Sequence, residues 1–265
     1  MKKKKRILIV NGHQSYPLKA SVRDLLFCYK KYTNNALCFY LNLNDVFDIP
    51  KYILRIDFDM IIFHTIFLSA RWNGNDFFDN KVIKKCLPLN KIDCPKVVLP
   101  QDEWIHTTAL NRFINELNIT QVGSVAPGSE WKKIYSGVNM EKVRFHQFLT
   151  GYLDEKTVEV ASRAQKKTGE RKYDIGYRAF RSPPWLGKHG YLKTKIAEVF
   201  EAEGKKRGLK TNISVKREDI ITGNDWFSFL GDCRFFIGVE GGSTVHDPEG
   251  EIWKKGEKYT LEHPD

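Results

Sequence analysis

Glu240-Gly241-Gly242-Ser243 is the stretch of this chain best suited to cradle a phosphate or a sugar. It follows the apolar run Phe235-Phe236-Ile237-Gly238-Val239, which reads as a buried strand ending in a tight polar loop. Paired glycines let a backbone approach a ligand closely, and Ser243 adds a hydroxyl. Glu240 offers two acceptor oxygens, which suit the hydroxyls of a ribose or sugar and equally suit a helix cap. A plain strand-to-turn corner has the same pattern. A second group is cationic: Arg178 and Arg181 follow the run Tyr173–Tyr177, and Lys188, His189 and Lys193 precede or enter the next helical stretch. Arg or Lys beside a helix N-terminus makes an anion site, and such residues also make an ordinary solvated surface. Arg178 and Lys193 are expected to share a ligand with the Glu240–Ser243 loop if their strands end on one side of a parallel sheet.

In the first half, His13, His64 and Asp102 are the candidate catalytic residues, with Glu103 of similar weight. Each sits just past an apolar run, where a histidine or carboxylate can act as a general base or bind a sugar hydroxyl. A lone histidine at such a position is more often structural. Asp247, Glu249 and Glu251 resemble an acidic metal site only superficially; Asp-Pro-Glu-Gly-Glu reads as a surface turn, and no metal is expected.

The elements that must position these groups read as α/β. Strands are expected at 6–10, 36–41, 59–63, 96–99 and 122–126, with a loop at 11–20 and helices at 21–32 and 105–117. The short all-apolar runs are those of central parallel strands. Residues 152–171 are polar and Lys-rich, a linker or a helix leading into one. The pattern then restarts: strands at 173–177, 212–215 and 234–239, and helices at 190–207 and 224–231, the last with Asn224 as its N-cap. Two Rossmann-like parallel-sheet domains follow, 1–165 and 166–265. The second reads as incomplete, with three strands where a doubly wound unit has about six.

The chain carries 43 Lys and Arg against 32 Asp and Glu, a net charge of +11. Residues 1–150 hold 22 of those cations against 13 acids, so the excess lies in the first half, five of the cations in the tail Lys2–Arg6. A basic face points to anionic partners. No apolar run approaches the ~20 residues of a membrane span, and Ile7–Val10 is too short for a secretory signal, so a cytoplasmic protein is expected. The five cysteines include no Cys-x-x-Cys pair, which argues against a disulfide framework or a zinc site. The glycine fingerprint of dinucleotide binding, Walker A, G-x-S-x-G and H-E-x-x-H are all missing from the sequence. That argues against ordinary dehydrogenase, P-loop and serine-hydrolase readings. No RRM, KH or helix-turn-helix pattern is present either, and no nucleic-acid partner is expected.

The series Tyr173-Asp174-Ile175-Gly176-Tyr177-Arg178, Pro184-Trp185-Leu186-Gly187-Lys188-His189-Gly190, Lys193, Asp225-Trp226-Phe227, Gly238–Asp247 and Gly250-Glu251-Ile252 resembles the second domain of bacterial GT-B glycosyltransferases of polysaccharide gene clusters. The likeness covers roughly residues 172–252 and touches the first half only loosely. It implies two facing Rossmann-like domains and a nucleotide-sugar donor held mainly by the second. Arg178 and Lys193 match the basic pair that neutralises the donor diphosphate. Glu240, Gly241, Gly242 and Ser243 match the acidic residue and glycine turn that hold its ribose or sugar. Cations and backbone donors stabilise the departing nucleoside diphosphate, so the resemblance implies neither metal nor cofactor. An inverting enzyme would also take a base from the first domain. The expected acceptor is a polysaccharide or lipid-linked glycan, with peripheral contact to an anionic membrane. The alternative is a non-catalytic nucleotide or sugar-phosphate binding module, a truncated relative of such enzymes.

Overall fold

A computed structural model describes residues 3–14, 18, 20–149, 151 and 154–263. Met1 and Lys2 of the basic tail, and positions 15–17 and 19 of the expected first loop, lie outside the described residues. The chain divides into two compact units, Met1–Tyr152 with His246–Glu251, and Leu153–Val245 with Ile252–Asp265.

In the first unit the apolar runs become strands β1 (Lys5–Asn11), β2 (Ala36–Asn42), β3 (Met60–Phe63), β4 (Lys96–Val98), β5 (Gln121–Ser124) and β6 (Arg144–Gln147). They form one sheet in the order β2-β1-β3-β4-β5-β6, every neighbour parallel. Strand side chains alternate between faces. Accordingly Leu8 and Val10 join one core cluster with Ile61, Phe63, Val98 and Val122, while Ile9 joins another with Leu26, Ile62 and Leu99. The helix Ala20–Tyr32 supplies Leu26 to the second cluster, and the helix Thr107–Glu116 supplies Leu110, Phe113 and Ile114 to the first. Covering both faces is what lets β1 and β3 be apolar at every central position. β6 escapes sequence reading because Arg-Phe-His-Gln is a polar edge, three of its four residues exposed. Residues 65–91 form a chain of short helical turns, including a π-helical turn at Phe78–Ile83, too brief and mixed to show a periodicity.

In the second unit β7 (Tyr173–Arg178), β8 (Thr211–Ser214) and β9 (Cys233–Phe236) form a parallel sheet in the order β8-β7-β9. Helices span Glu155–Ala164, Gly187–Lys206, Asn224–Asp232 and Glu251–Glu262. The polar stretch after residue 152 is thus helical over Glu155–Ala164, where Asp154 Oδ1 accepts from the Lys156 and Thr157 amides (3.0 and 3.3 Å), an N-cap. The expected cap at Asn224 is corrected: Gly223, at φ +64, takes the cap position and Asn224 is the first helical residue. The expectation of a buried final strand is also corrected. β9 pairs on one side only, and Phe235 and Phe236 are 73% and 41% exposed.

Gly176 decides how β7 packs. A Cβ there would overlap Cys233 Sγ and approach Phe229 Cζ to 3.2 Å, so the strand sits directly on the Phe229–Cys233 layer. Gly176→Ala is expected to lower stability by about 1–3 kcal/mol, the usual result of overpacking. Adding Cys233→Ala should recover part of that loss, measured by denaturant unfolding of the two variants.

Candidate functional site

Ligands of open parallel sheets sit outside the carboxyl ends of the strands, where the strand order reverses. Each unit has one such reversal: between β1 and β3 in the first, between β7 and β9 in the second.

At the second reversal the segment after β7 leads to the helix Gly187–Lys206, and the segment after β9 carries Glu240–Thr244. The two are laced together. The Lys188 amide donates to Thr244 Oγ1 (2.8 Å), the Thr244 amide donates to the Leu186 carbonyl (3.1 Å), and the Ser243 hydroxyl donates to the same carbonyl (3.3 Å) and accepts from Val245 N (3.0 Å). Gly187, at φ +69, leaves the room that the Thr244 side chain fills. Glu240 reaches His189 Nε2 at 3.3 Å with its carboxylate 82% exposed. Gly241 and Gly242 have open space where a Cβ would be, Gly242 at φ +87. The loop therefore exposes backbone at the end of β9 while its base is tied to the first turn of a 20-residue helix.

The two expected cations behave differently. Arg178 Nη1 donates to the Tyr177 and Asn212 carbonyls (both 2.8 Å), Nη2 donates to Asn212 Oδ1 (2.5 Å), and the guanidinium lies over the Phe229 ring. It ties the end of β7 to β8. Lys193 Nζ lies over the Phe180 ring, 5.7 Å from its centroid.

At the first reversal a cavity of about 460 Å³ opens beyond β1 and β3. His13 lines it, 9% exposed, and donates from Nδ1 to Asn11 Oδ1 (2.7 Å), which leaves Nε2 as the acceptor facing Asn42 Nδ2 at 3.4 Å. Asn44 Nδ2 donates to the Gly12 and His13 carbonyls (2.7 and 3.1 Å), so the ends of β1 and β2 hold the ring in place. His64 does not line the cavity. It is 1% exposed, packs edge-on to Tyr29, and its Nδ1 accepts from the Ile66 amide (3.3 Å) to cap the turn Thr65–Leu68. Burial pushes its pKa down to about 4, partly offset by the Leu25 backbone carbonyl, so it is neutral at pH 7.

Asp102 and Glu103 follow β4. Asp102 stands at φ +55, and its carbonyl accepts from Arg71 Nη2 (2.7 Å). Arg71 is fully buried and also donates to the Leu68 (2.9 Å), Ile105 (3.2 Å) and Gln101 carbonyls. Glu103, 4% exposed, accepts from Ser124 Oγ (2.6 Å), the Val125 amide (2.8 Å) and the Tyr135 hydroxyl. Burial and the Glu103 charge raise the Tyr135 pKa, keeping it a donor.

The expected turn is present, closed by the Gly250 amide donating to the Asp247 carbonyl (3.2 Å), with Glu249 and Glu251 exposed; the correction concerns its first residue. Asp247 is 3% exposed and forms a parallel bridge with Ile105: its amide donates to the Trp104 carbonyl (2.6 Å) and its carbonyl accepts from the His106 amide (3.0 Å). Glu249 accepts from Asn75 Nδ2 and Thr108 Oγ1, and the Gly250 backbone, at φ +74, lies against the His106 ring. Pairing partners more than 130 residues away in sequence give no local signal. Among the described residues no group of three His, Cys, Asp or Glu is arranged to hold a metal. No helix there is long and apolar enough to cross a membrane.

No known protein family, curated protein or solved structure matches the chain. The parallel sheets are compatible with a Rossmann-like fold, and the assignment of chemistry rests on the residues themselves. Sequence reading missed Thr244, Asn42, Asn44, Lys81 and Lys85; only the Ser243-Thr244 pair after two glycines carries a signal that could have flagged one of them.

Two measurements follow. A buried His64 of pKa about 4 takes up its proton later than the unfolded chain does at about 6.5. The unfolded state binds more protons in that window, so stability falls on acidification from pH 6.5 to 4, by up to about 3 kcal/mol from this group. Unfolding followed by tryptophan fluorescence should show a flatter pH dependence for His64→Asn, which keeps a capping acceptor, than for the parent. Glu103→Gln turns an amide NH₂ toward one of three donors and is expected to destabilise by about 1–3 kcal/mol. Tyr135→Phe, which removes one donor and leaves the carboxylate two, should destabilise less in the same assay.

Proposed function

We propose that this chain is a glycosyltransferase-type protein that binds a nucleotide-sugar in the crevice beyond β7 and β9. One observation carries the reading: the reversal β8-β7-β9 places the Glu240–Thr244 loop against the first turn of the helix Gly187–Lys206. A helix N-terminus attracts the donor's diphosphate, and Lys188 and Lys193 add cations along the same turns. Exposed glycine backbone and the Glu240 carboxylate suit hydroxyls of the ribose or sugar. During transfer the bond from the anomeric carbon to the diphosphate oxygen breaks, the acceptor oxygen bonds that carbon, and the acceptor proton leaves to a base or to solvent. Charge grows on the departing diphosphate, where preorganised cations and amides act most strongly. Arg178 supports this crevice by holding the β7 and β8 ends together. The acceptor, a polysaccharide or lipid-linked glycan, is assigned to the first unit, with His13 the candidate best placed to meet a hydroxyl.

One observation favours the second reading, a nucleotide or sugar-phosphate binding module without turnover. The terminal nitrogens of Arg178 are already engaged by Tyr177 and Asn212, which leaves fewer cations for a leaving group.

Thermal stability against UDP-, GDP-, ADP- and CMP-sugars tests both. A ligand of the folded state at a hundredfold excess over its Kd stabilises by about 2.7 kcal/mol. One nucleotide is expected to shift the midpoint, with the shift lost in Glu240→Ala and reduced in Thr244→Val. No shift with any nucleotide-sugar, or one unchanged by Glu240→Ala, overturns the donor site. Binding without sugar release under any acceptor favours the module.

A further inference from the structure

The first-unit cavity has a chemical character that the transferase reading does not specify. Among the described residues that line it none is Asp or Glu, and two are lysines, Lys81 and Lys85. Lys85 Nζ donates to the Leu43 carbonyl (2.6 Å) and to the Val46 carbonyl, so two of its three protons are held by backbone and the third remains. Among the described residues neither lysine has a carboxylate partner, and Lys81 makes no hydrogen bond. Lys81 lies in the π-helical turn Phe78–Ile83 and Lys85 in the turn Lys84–Cys86 that follows it, and π-helical turns are frequent at functional sites. The rest of the wall is mixed: Ile66, Phe67, Phe77 and Val82 give it an apolar side, and Gln14, Asn44 and Asn73 are among its polar residues. A pocket with two ammonium groups, no acid among its described lining residues and an apolar side suits an anion attached to an apolar body.

We propose that the cavity beyond β1 and β3 binds a small phosphate monoester carrying an apolar group, its anion held by Lys81 and Lys85 and its body against Ile66 and Phe77. A phosphate offers several acceptor oxygens, enough for both ammonium groups. The same chemistry is presented by a soluble sugar phosphate or phosphorylated metabolite and by a lipid phosphate headgroup. Only the identification of this ligand as the acceptor rests on the transferase reading; the binding itself does not.

Calorimetric titration of the full chain with inorganic phosphate, benzyl alcohol and benzyl phosphate tests it, with no nucleotide present, so the outcome is separate from that of the donor site. Benzyl phosphate should bind at least about tenfold more tightly than benzyl alcohol, since one charge-assisted contact is worth about that factor, and at least about tenfold more tightly than inorganic phosphate, since the ring leaves water against Ile66 and Phe77. Lys81→Glu, at an exposed position, should weaken benzyl phosphate by about tenfold or more while leaving the unfolding midpoint unchanged. Lys85→Gln should weaken it too, though it also loosens Leu43 and Val46. Equal affinity for phosphate and benzyl phosphate, no saturable binding, or binding indifferent to Lys81→Glu would overturn the proposal. Sedimentation with phosphatidylcholine vesicles, with and without phosphatidic acid, separates the sources. Recruitment that benzyl phosphate competes and Lys81→Glu removes assigns the lipid headgroup. Benzyl phosphate binding without such recruitment assigns a soluble monoester. Recruitment by the N-terminal lysines alone would survive Lys81→Glu.

Discussion

Parallel strands cannot be joined by a tight turn. Each connection must cross a face of the sheet, and each strand then ends at the same edge as its neighbours. Both units obey this constraint, and the placement of the candidate sites follows from it. In each, the unit's first strand is flanked by its second on one side and its third on the other, so the chain reverses direction across the sheet at that point. In the first unit the connections leaving the two strands at the reversal supply different core clusters, and a cavity opens beyond the strand ends. His13 lines that cavity; at the second reversal the Glu240–Thr244 loop is fastened to the helix beginning at Gly187.

A crevice of this kind is made of loops, and loops need holding. In the first unit a fully buried arginine does this without a surface pair. Arg71 spends its donors on backbone carbonyls of the segment after β4 and of the turn before it. Glu103, two residues past the first of those carbonyls, accepts from the end of β5 and from Tyr135. Removing either side would strand buried donors or acceptors, so the network ties the β4 and β5 ends into one rigid edge. Asp247 adds a further stretch of backbone to the same edge by pairing with Ile105. In the second unit the fastening is lighter: Thr244 and Ser243 hydroxyls hold the glycine loop to one helical turn, while Gly241 and Gly242 remain open.

The charge of the molecule is distributed in keeping with this. The acids near the first edge are consumed internally, Glu103 by three donors and Glu249 by Asn75 and Thr108, whereas lysines face the cavity. In the second unit Arg178 is turned inward to β8 and Phe229, and Lys188, His189 and Lys193 stand along the helix. The two strand-end regions thus differ: lysine side chains line the cavity of the first, and the start of a helix stands at the second.

Ile7–Val10 and Met60–Phe63 are legible as parallel strands because burial on both faces demands uninterrupted apolar residues, a requirement written locally, and Val97-Val98-Leu99 marks β4 in the same way. The same holds for the helix Ala20–Tyr32 and for the glycine loop, whose composition announces a close backbone approach. The polar edge strand β6, the short turns over 65–91 and the buried pairing of Asp247 carry no such local mark, since their stability comes from residues distant in sequence. The candidate site divides likewise. The sequence by itself determined the α/β class, the positions of His13, His64 and Asp102 at strand ends, and the chemistry available at Glu240–Ser243. Only the tertiary structure decided that His64 caps a turn under Tyr29, that Arg178 faces inward, and that Lys81 and Lys85 meet His13 around one cavity, because side-chain direction is set by packing and not by position along the chain.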